Sequence, residues 1–519
     1  MKNLFRSISI LIIVIILIFV QIQGRKMAYK KIVHLKDNLY EQGSLMLNKI
    51  KDVFGYRIFK LLEIPYLTEA KGDGITDDTS AMNKELSILG SKGGGVFKLG
   101  KRKIYLITSS LNVPSNVTIN GNESTILAKI PLSTLIGTNV ERRKAAINII
   151  GEFTEQDYTS TAGEFIAQKP MALVETTIES NTTNKVILQK SSDAANLNVG
   201  DTVRLCLAWR IPRPVVSEYF KIASIKGTTI TFTRNIMNRY DCSLDSVFRN
   251  LYNKDPDTSL PFNGINYPDM STYAYFGLQK VKTVKNVQIK NLIIKKYNQP
   301  GYSVGNQGVY ILGSENTLIQ NVKFINCTLW NLDSQNTVEK NNQYIGDGLN
   351  TIPLSYVSNG SNLYYQFNNQ YINQSISVEE GAVNSTIFNP LIKCGGEIPI
   401  WIVNYVSNIK VKSGELVSQD STCVIIEKTF GNITVEDINA YGNASCISIK
   451  PHVLTGFRTN LKVKNNNLSA MQTTVITLTA GKSLGTVVGE IRDNILLNGD
   501  VICDDWSKFH DLKVINYTK

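Results

Sequence analysis

The chain has 519 residues, 43% hydrophobic and 19% charged, with a formal net charge of +12. Residues 1–62 hold eleven Lys or Arg against three Asp or Glu, so most of the positive excess is N-terminal and the rest is only mildly basic, which argues against a nucleic-acid partner. The length is large for one compact domain but suits an elongated solenoid, in which each repeat contacts only its neighbours.

In chain order, Lys2 and Arg6 precede an almost wholly apolar run over residues 8–20. Such a run at the N-terminus reads as a secretory signal or a membrane anchor within residues 1–24. The anchor is favoured because Gln21-Ile22-Gln23-Gly24 offers no small-x-small cleavage site. Either way the body is expected outside the cytoplasm, membrane-anchored or secreted. Residues 25–62 alternate basic and apolar side chains and read as an amphipathic linker or stalk at a membrane surface.

Residues 63–130 carry the most specific local pattern. Lys71-Gly72-Asp73-Gly74-Ile75-Thr76-Asp77-Asp78-Thr79 precedes a helical periodicity with Ala81, Met82, Leu86 and Leu89 on one face. Asp and Thr before a helix accept hydrogen bonds from the unpaired N–H groups of its first turn. Gly93-Gly94-Gly95, an apolar strand ending Tyr105-Leu106-Ile107, and Ser115-Asn116-Val117-Thr118-Ile119-Asn120-Gly121 follow in order. This order resembles the N-terminal signature of the pectate-lyase-like superfamily, in its rhamnogalacturonase and epimerase branch. The resemblance implies a single-stranded right-handed parallel β-helix whose open end is covered by an N-terminal helix. It also implies a protein that binds or acts on an acidic or deoxy-sugar polysaccharide. The loop Leu99-Gly100-Lys101-Arg102-Lys103-Ile104-Tyr105 is longer than the compact Pro-x-Gly-x-Tyr of relatives.

Residues 131–285 break the pattern. Period-two alternation in 199–205 and 219–232, joined by a Gly turn, predicts a small inserted antiparallel β-subdomain. Its Trp209 and Arg210 are candidate saccharide contacts.

Residues 286–500 repeat. Ile376, Ile400, Val424, Ile447 and Val475 recur at steps of 24, 24, 23 and 28 residues, the spacing of a solenoid. Alternation places Ile376 and Val378, Ile400 and Ile402, Val424 and Ile426, Ile447 and Ile449 toward a shared core. The opposite face then carries Glu379, Trp401, Glu427 and Lys450. Residues 501–519 read as a C-terminal tail. The seven cysteines show no metal-type pairing, and Cys423 and Cys446 are expected to stack as thiols on neighbouring coils.

Hydrolysis of a glycosidic bond needs a proton for the leaving oxygen and a base or nucleophile opposite, hence two carboxyls. Glu379 and Glu427, two coils apart, should lie roughly 9–10 Å from each other, near the upper separation of inverting enzymes, with Trp401 between them. A second candidate pair is Glu397 and Asp420 in successive turns, with Asp347 in a further turn of the same kind. The stretch Asn443-Ala444-Ser445-Cys446-Ile447-Ser448-Ile449 resembles the polygalacturonase segment that bears paired Asp, but Ala444 and Ser445 stand where those acids would be. Lys450 and His452 are candidate substrate contacts or bases. Lys450-Pro451-His452 carries Lys where epimerase relatives carry Asp, so epimerase chemistry is not expected. No metal site or cofactor is expected, Ca²⁺ entering only if the protein is a lyase. The expected partner is a polysaccharide cleaved by hydrolysis. The alternatives are a non-catalytic, tailspike-like glycan binder and a Ca²⁺-assisted lyase, and a homotrimer is left open.

Overall fold

The computed structural model describes residues 69–515 except 131–144, 154–171, 175–176, 211–212, 241–274, 297–306, 347–353, 359, 452–457, 473 and 482–484. The apolar run at 8–20 and the stalk at 25–62 therefore lie outside the described residues. Among the described residues, no helix is long and apolar enough to cross a membrane.

The repeats form stacked coils. Coil follows coil in parallel register, as in Ile376↔Ile400↔Val424↔Ile447 and Ile409↔Ile433↔Leu461. Eleven short strands build one parallel sheet, from Leu111–Asn112 to Asp500–Cys503. A 22-strand path holds the other strands of each coil and runs as two columns, because the long strands Val117–Ala128, Gln288–Lys296 and Ser314–Ile325 take part in both. The inward residues predicted from alternation, among them Ile376, Ile400, Val424 and Ile447, are all 0% exposed in one continuous core. Each coil leaves its apolar face uncovered when alone, so stacking is what removes that surface from water.

The corners explain the abundance of Asn. Asn286, Asn316, Asn336, Asn384 and Asn408 hold positive φ at one corner, and Asn291, Asn321, Asn341, Asn368 and Asn389 do so at the next. Asn tolerates this left-handed backbone, and its amide bonds to the Asn one coil away. Examples are Asn316 Nδ2 to Asn286 Oδ1 at 3.1 Å and Asn389 Nδ2 to Asn368 Oδ1 at 2.9 Å. Leu363 takes the equivalent corner with φ 59° and has no side-chain group to contribute. Leu363→Asn is therefore expected to stabilise the protein by about 1 kcal/mol, read as a higher unfolding midpoint. An unchanged or lower midpoint would contradict that.

The helix Thr79–Ser91 buries Met82, Leu86 and Leu89 in the main core. Its lead-in works differently from the expectation. Asp77 Oδ1 accepts from the Thr79 N–H at 3.0 Å, but Asp78 turns back and accepts from Lys71 N and Gly72 N at 2.7 and 3.0 Å. Gly72 has φ +60° there, and a Cβ would come within 2.9 Å of Lys103 and Tyr105. The motif thus ties the entering chain to the helix start.

The region 131–285 is divided. Ile147–Ile150 returns to the 11-strand sheet and pairs with Val309–Leu312. The inserted subdomain begins after it, as a seven-strand sheet with antiparallel pairings that include Thr202–Arg210 with Arg213–Lys226 and with Tyr275–Lys282. It has a core of its own, to which Val383 and Tyr405 of the coils contribute. A buried polar joint fastens it to the helix: Arg204 Nη2 lies 3.2 Å from Asp333 Oδ2, Ser217 Oγ donates to Asp333 Oδ1, and the Tyr219 hydroxyl donates to the Asp333 carbonyl at 2.7 Å. At the other end, Leu512–Ile515 pairs with Gly489–Arg492, so the stack continues into the region read as a tail.

Cys423 and Cys446 are buried free thiols. On the outer surface, Lys410, Lys464 and Lys412 surround Glu436 at 2.8, 3.2 and 3.4 Å. Burial pushes the Glu436 carboxyl up, but these ammonium groups outweigh it and hold the pKa at about 2. A carboxyl whose folded pKa is depressed stabilises the fold above its unfolded value and loses that contribution as pH falls through the folded one. Glu436→Gln is expected to flatten the fall of the unfolding midpoint between roughly pH 4.5 and 2. A fall as steep as in the unsubstituted protein would show that the cluster adds nothing.

Candidate functional site

The outer face of the 11-strand sheet carries two parallel files of side chains. The first follows from register: Tyr310, Trp330, Tyr356, Ser377, Trp401, Ile425, Ser448 and Thr477 stand one above another. Trp330 and Tyr356 meet edge to face with centroids 4.6 Å apart. Toward the N-terminal end, Tyr310, Leu312, Leu332 and Ala145 close into a small apolar cluster against which Trp330 and Tyr356 pack. Tyr356, Trp401 and Ile425 are partly exposed on the middle coils.

The second file lies two residues further along each strand. It runs Leu312, Leu332, Ser358 and later Val403, Glu427, Lys450. Glu379, one residue beyond Val378, continues it at the level between Ser358 and Val403. Glu379 and Glu427 therefore share one file, two coils and roughly 9–10 Å apart. Val403 stands between them. Trp401 is in the adjacent file at the intermediate coil, so it flanks the pair and does not sit between its members. Ser377 Oγ donates to Glu379 Oε2 at 2.9 Å. Lys450 Nζ is 3.7 Å from Glu427 Oε2.

The other candidates fall elsewhere. Glu397 and Asp420 occupy the turns that lead into the sheet, not its face. Asp420 Oδ2 lies 3.9 Å from where a Cβ on Gly396 would be, one coil below, and its residue is exposed. Burial raises the Glu397 carboxyl above its ordinary value, and it is the sole cause of that shift. Asp347 and His452 lie outside the described residues. Trp209 and Arg210 belong to the strand Thr202–Arg210 of the subdomain, and their side chains lie outside the described residues. Among the described residues, no three His, Cys, Asp or Glu side chains gather as a metal site.

Sequence reasoning missed Trp330 and Tyr356. Their signal was present as the alternation in Thr328-Leu329-Trp330-Asn331 and Leu354-Ser355-Tyr356-Val357. The steps from Tyr310 to Trp330 and on to Tyr356 are 20 and 26 residues, less even than the later ones. Glu339 was missed for a different reason. It faces the core at 0% exposure, in file with Ile319, Gln366 and Ile387. There its carboxylate accepts from the hydroxyls of Tyr344 and Tyr364 and from the amides of Asn342 and Asn369. Burial raises its pKa against these four donors.

No family model and no curated protein matches the sequence. Solved structures do match. The tailspike protein gp49 from Pseudomonas phage LKA1 is 11% identical, over 86% of this chain and 77% of that one, with a TM-score of 0.51. The A-module of mannuronan C-5 epimerase AlgE4 from Azotobacter vinelandii is 11% identical over 86% and 93%, with a TM-score of 0.47. A hyperthermoactive exopolygalacturonase from Thermotoga maritima is 11% identical over 86% and 89%, with a TM-score of 0.39. Identities this low speak to architecture alone, and the likeness to the tailspike, with the coil register above, places this chain in the right-handed parallel β-helix fold.

Proposed function

We propose that this protein acts on a polysaccharide laid along the outer face of the 11-strand sheet, and that it hydrolyses a glycosidic bond there. The observation that carries the reading is the pair of files: Trp330, Tyr356 and Trp401 in one, Glu379 and Glu427 in the next. Aromatic faces give a sugar ring a large rigid contact at low entropic cost. Two carboxyls at roughly 9–10 Å leave room for a ring and a water molecule, near the upper range of inverting glycosidases. One carboxyl would protonate the leaving oxygen and the other would activate the water. The names of the fold neighbours, a tailspike and two enzymes of uronate polymers, are consistent with a glycan ligand.

The test is release of reducing ends from a polysaccharide panel by the full chain, with inversion followed at the new anomeric centre. Azide added to Glu379→Ala and Glu427→Ala should restore cleavage only in the variant that lacks the base. The second reading is a binder that does not cut. It is favoured by one observation, the Lys450 ammonium beside Glu427, and it predicts glycan retention with no new reducing ends. Placement outside the cytoplasm and attachment through the N-terminal segment are part of the same proposal.

A further inference from the structure

The corner that joins the two columns of the 22-strand path carries a ladder of amides. Asn321 donates to Asn291, Asn341 to Asn321, Asn368 to Asn341 and Asn389 to Asn368, at 3.1, 3.5, 3.3 and 2.9 Å. The ladder stops at Asn389, because register puts Ser413 at the next corner. It resumes where Asn465 donates to Asp437 at 3.2 Å. The Oδ1 of Asn389 is thus left without a donor among the described residues. One position further along the chain, other coils hold the buried Asn342, Asn369, Asn466 and Asn494, but these two coils hold Pro390 and Gly414. Gly414 is required there, since its φ is +97° and a Cβ would lie 2.3 Å from the Pro390 carbonyl oxygen. The interruption opens a cleft of about 400 Å³, floored by Pro390 and Gly414 and edged by Asn389, Gln370, Glu415 and Asn439. Gln370 Oε1 accepts from Gln343 at 3.5 Å, while its Nε2 and the Asn439 side chain bond to no described group.

We propose that this cleft is a second saccharide site, which holds an uncharged pyranose unit and does not cut it. It rests on the glycan reading above for the kind of polymer. An amide donates and accepts at once, as a sugar hydroxyl does. Glu415 is the sole carboxyl among the lining residues and is held by Lys393 at 3.0 Å, so the pair is neutral in sum. A single carboxyl also lacks the partner that hydrolysis needs. The adjacent outward file runs Ile372, Lys393, Val417 and Tyr441, and its two ends are 45% and 40% exposed. A polar file beside an exposed apolar one matches a pyranose, whose hydroxyl edge needs hydrogen-bond partners and whose C–H face gains from burial. Each coil has three sides, and this corner lies across the core from the 11-strand sheet, on the coils that carry Glu379 and Glu427. The two sites face away from each other, so the protein grips two polymer strands, or two distant parts of one.

The experiment is calorimetric titration of the full chain with short uncharged oligosaccharides from mannan, dextran and galactan. Ser413→Asn supplies the missing rung: the new amide donates to Asn389 Oδ1 and fills the cleft, at a corner whose φ of 61° Asn tolerates. At least one oligosaccharide is expected to bind at two sites per chain. Ser413→Asn should remove one of them without lowering the unfolding midpoint, and Trp401→Ala should remove the other. The double variant Gln370→Ala/Asn439→Ala should weaken the corner site by about tenfold. A single site, lost in Trp401→Ala and unmoved by Ser413→Asn, overturns the inference and leaves the sheet-face reading standing. A single site, lost in Ser413→Asn and unmoved by Trp401→Ala, supports the corner site and removes the sheet-face reading. If Ser413→Asn lowers the midpoint, the double variant decides, and unchanged affinity at both sites overturns the inference. Failure of every oligosaccharide to bind overturns the corner site and the glycan reading together.

Discussion

Glu379→Gln is expected to lower the rate of glycosidic cleavage by about 10²–10⁴-fold, the usual contribution of a positioned general acid or base. That corresponds to about 3–5 kcal/mol of lost transition-state stabilisation. Glu427→Gln should act comparably, and the two together should cost much less than the product of the single effects, since groups that act as a unit are not additive. Gln keeps the size of the side chain and can still accept the hydroxyl of Ser377, which donates to Glu379 at 2.9 Å. Glycan affinity should accordingly stay within about threefold of the unsubstituted chain, because the stacking surface is untouched. Glu397→Gln provides the contrast: it sits in the turn before the strand Ile400–Val403, half-buried and away from the file, and should leave the rate unchanged. If both face variants cleave normally, the pair on the sheet is not the machinery. If Glu397→Gln alone abolishes cleavage, the chemistry belongs to the turns.

The second large effect concerns stability. Glu339→Ala is expected to lower the unfolding free energy by about 3–5 kcal/mol, because it strands buried donors that have no other route to water. Tyr344, Tyr364, Asn342 and Asn369 converge on this one carboxyl. They belong to two successive coils, and Tyr344 is also stacked between Phe324 and Tyr371 with centroids 4.5 Å apart on each side. The carboxyl therefore acts as a pin through the middle of the stack. Replacing Glu339 and both tyrosines together, by Ile and two Phe, removes two of the four donors along with the acceptor and should recover part of the loss. Chemical denaturation of the two variants checks this. A single Ala variant within about 1 kcal/mol of the parent would show that the core absorbs the stranded donors.

These two expectations differ in how far they could be reached without a structure. Glu379 and Glu427 were legible because strand alternation is a local rule: once Val378 and Ile426 face inward, the next residue faces outward. Their lateral neighbours were less legible. Trp330 and Tyr356 join the file only because coils of uneven length still stack in register, which depends on how much chain each corner loop absorbs. Glu339 was not legible at all. A charged residue in a strand reads as outward, and its inward orientation is stabilised only by donors that other coils supply. The placement of Glu397 and Asp420 was less legible for a related reason, since residues in turns do not obey the alternation that orders the strands.

What the amino-acid sequence determined by itself was the architecture. A solenoid step, an inward Ile/Val every second residue, and Asn at corners that need left-handed backbone are each local requirements, and together they leave one way to bury the apolar face. What only the tertiary structure decided was which side chains of different coils touch. The joint of Arg204 with Asp333, the carboxyl of Glu339 among tyrosines, and the aromatic file beside Glu379 all join segments distant in the chain. Such contacts follow from the stacking of whole coils, because hydrogen-bonded register, not sequence spacing, sets the distance between neighbours.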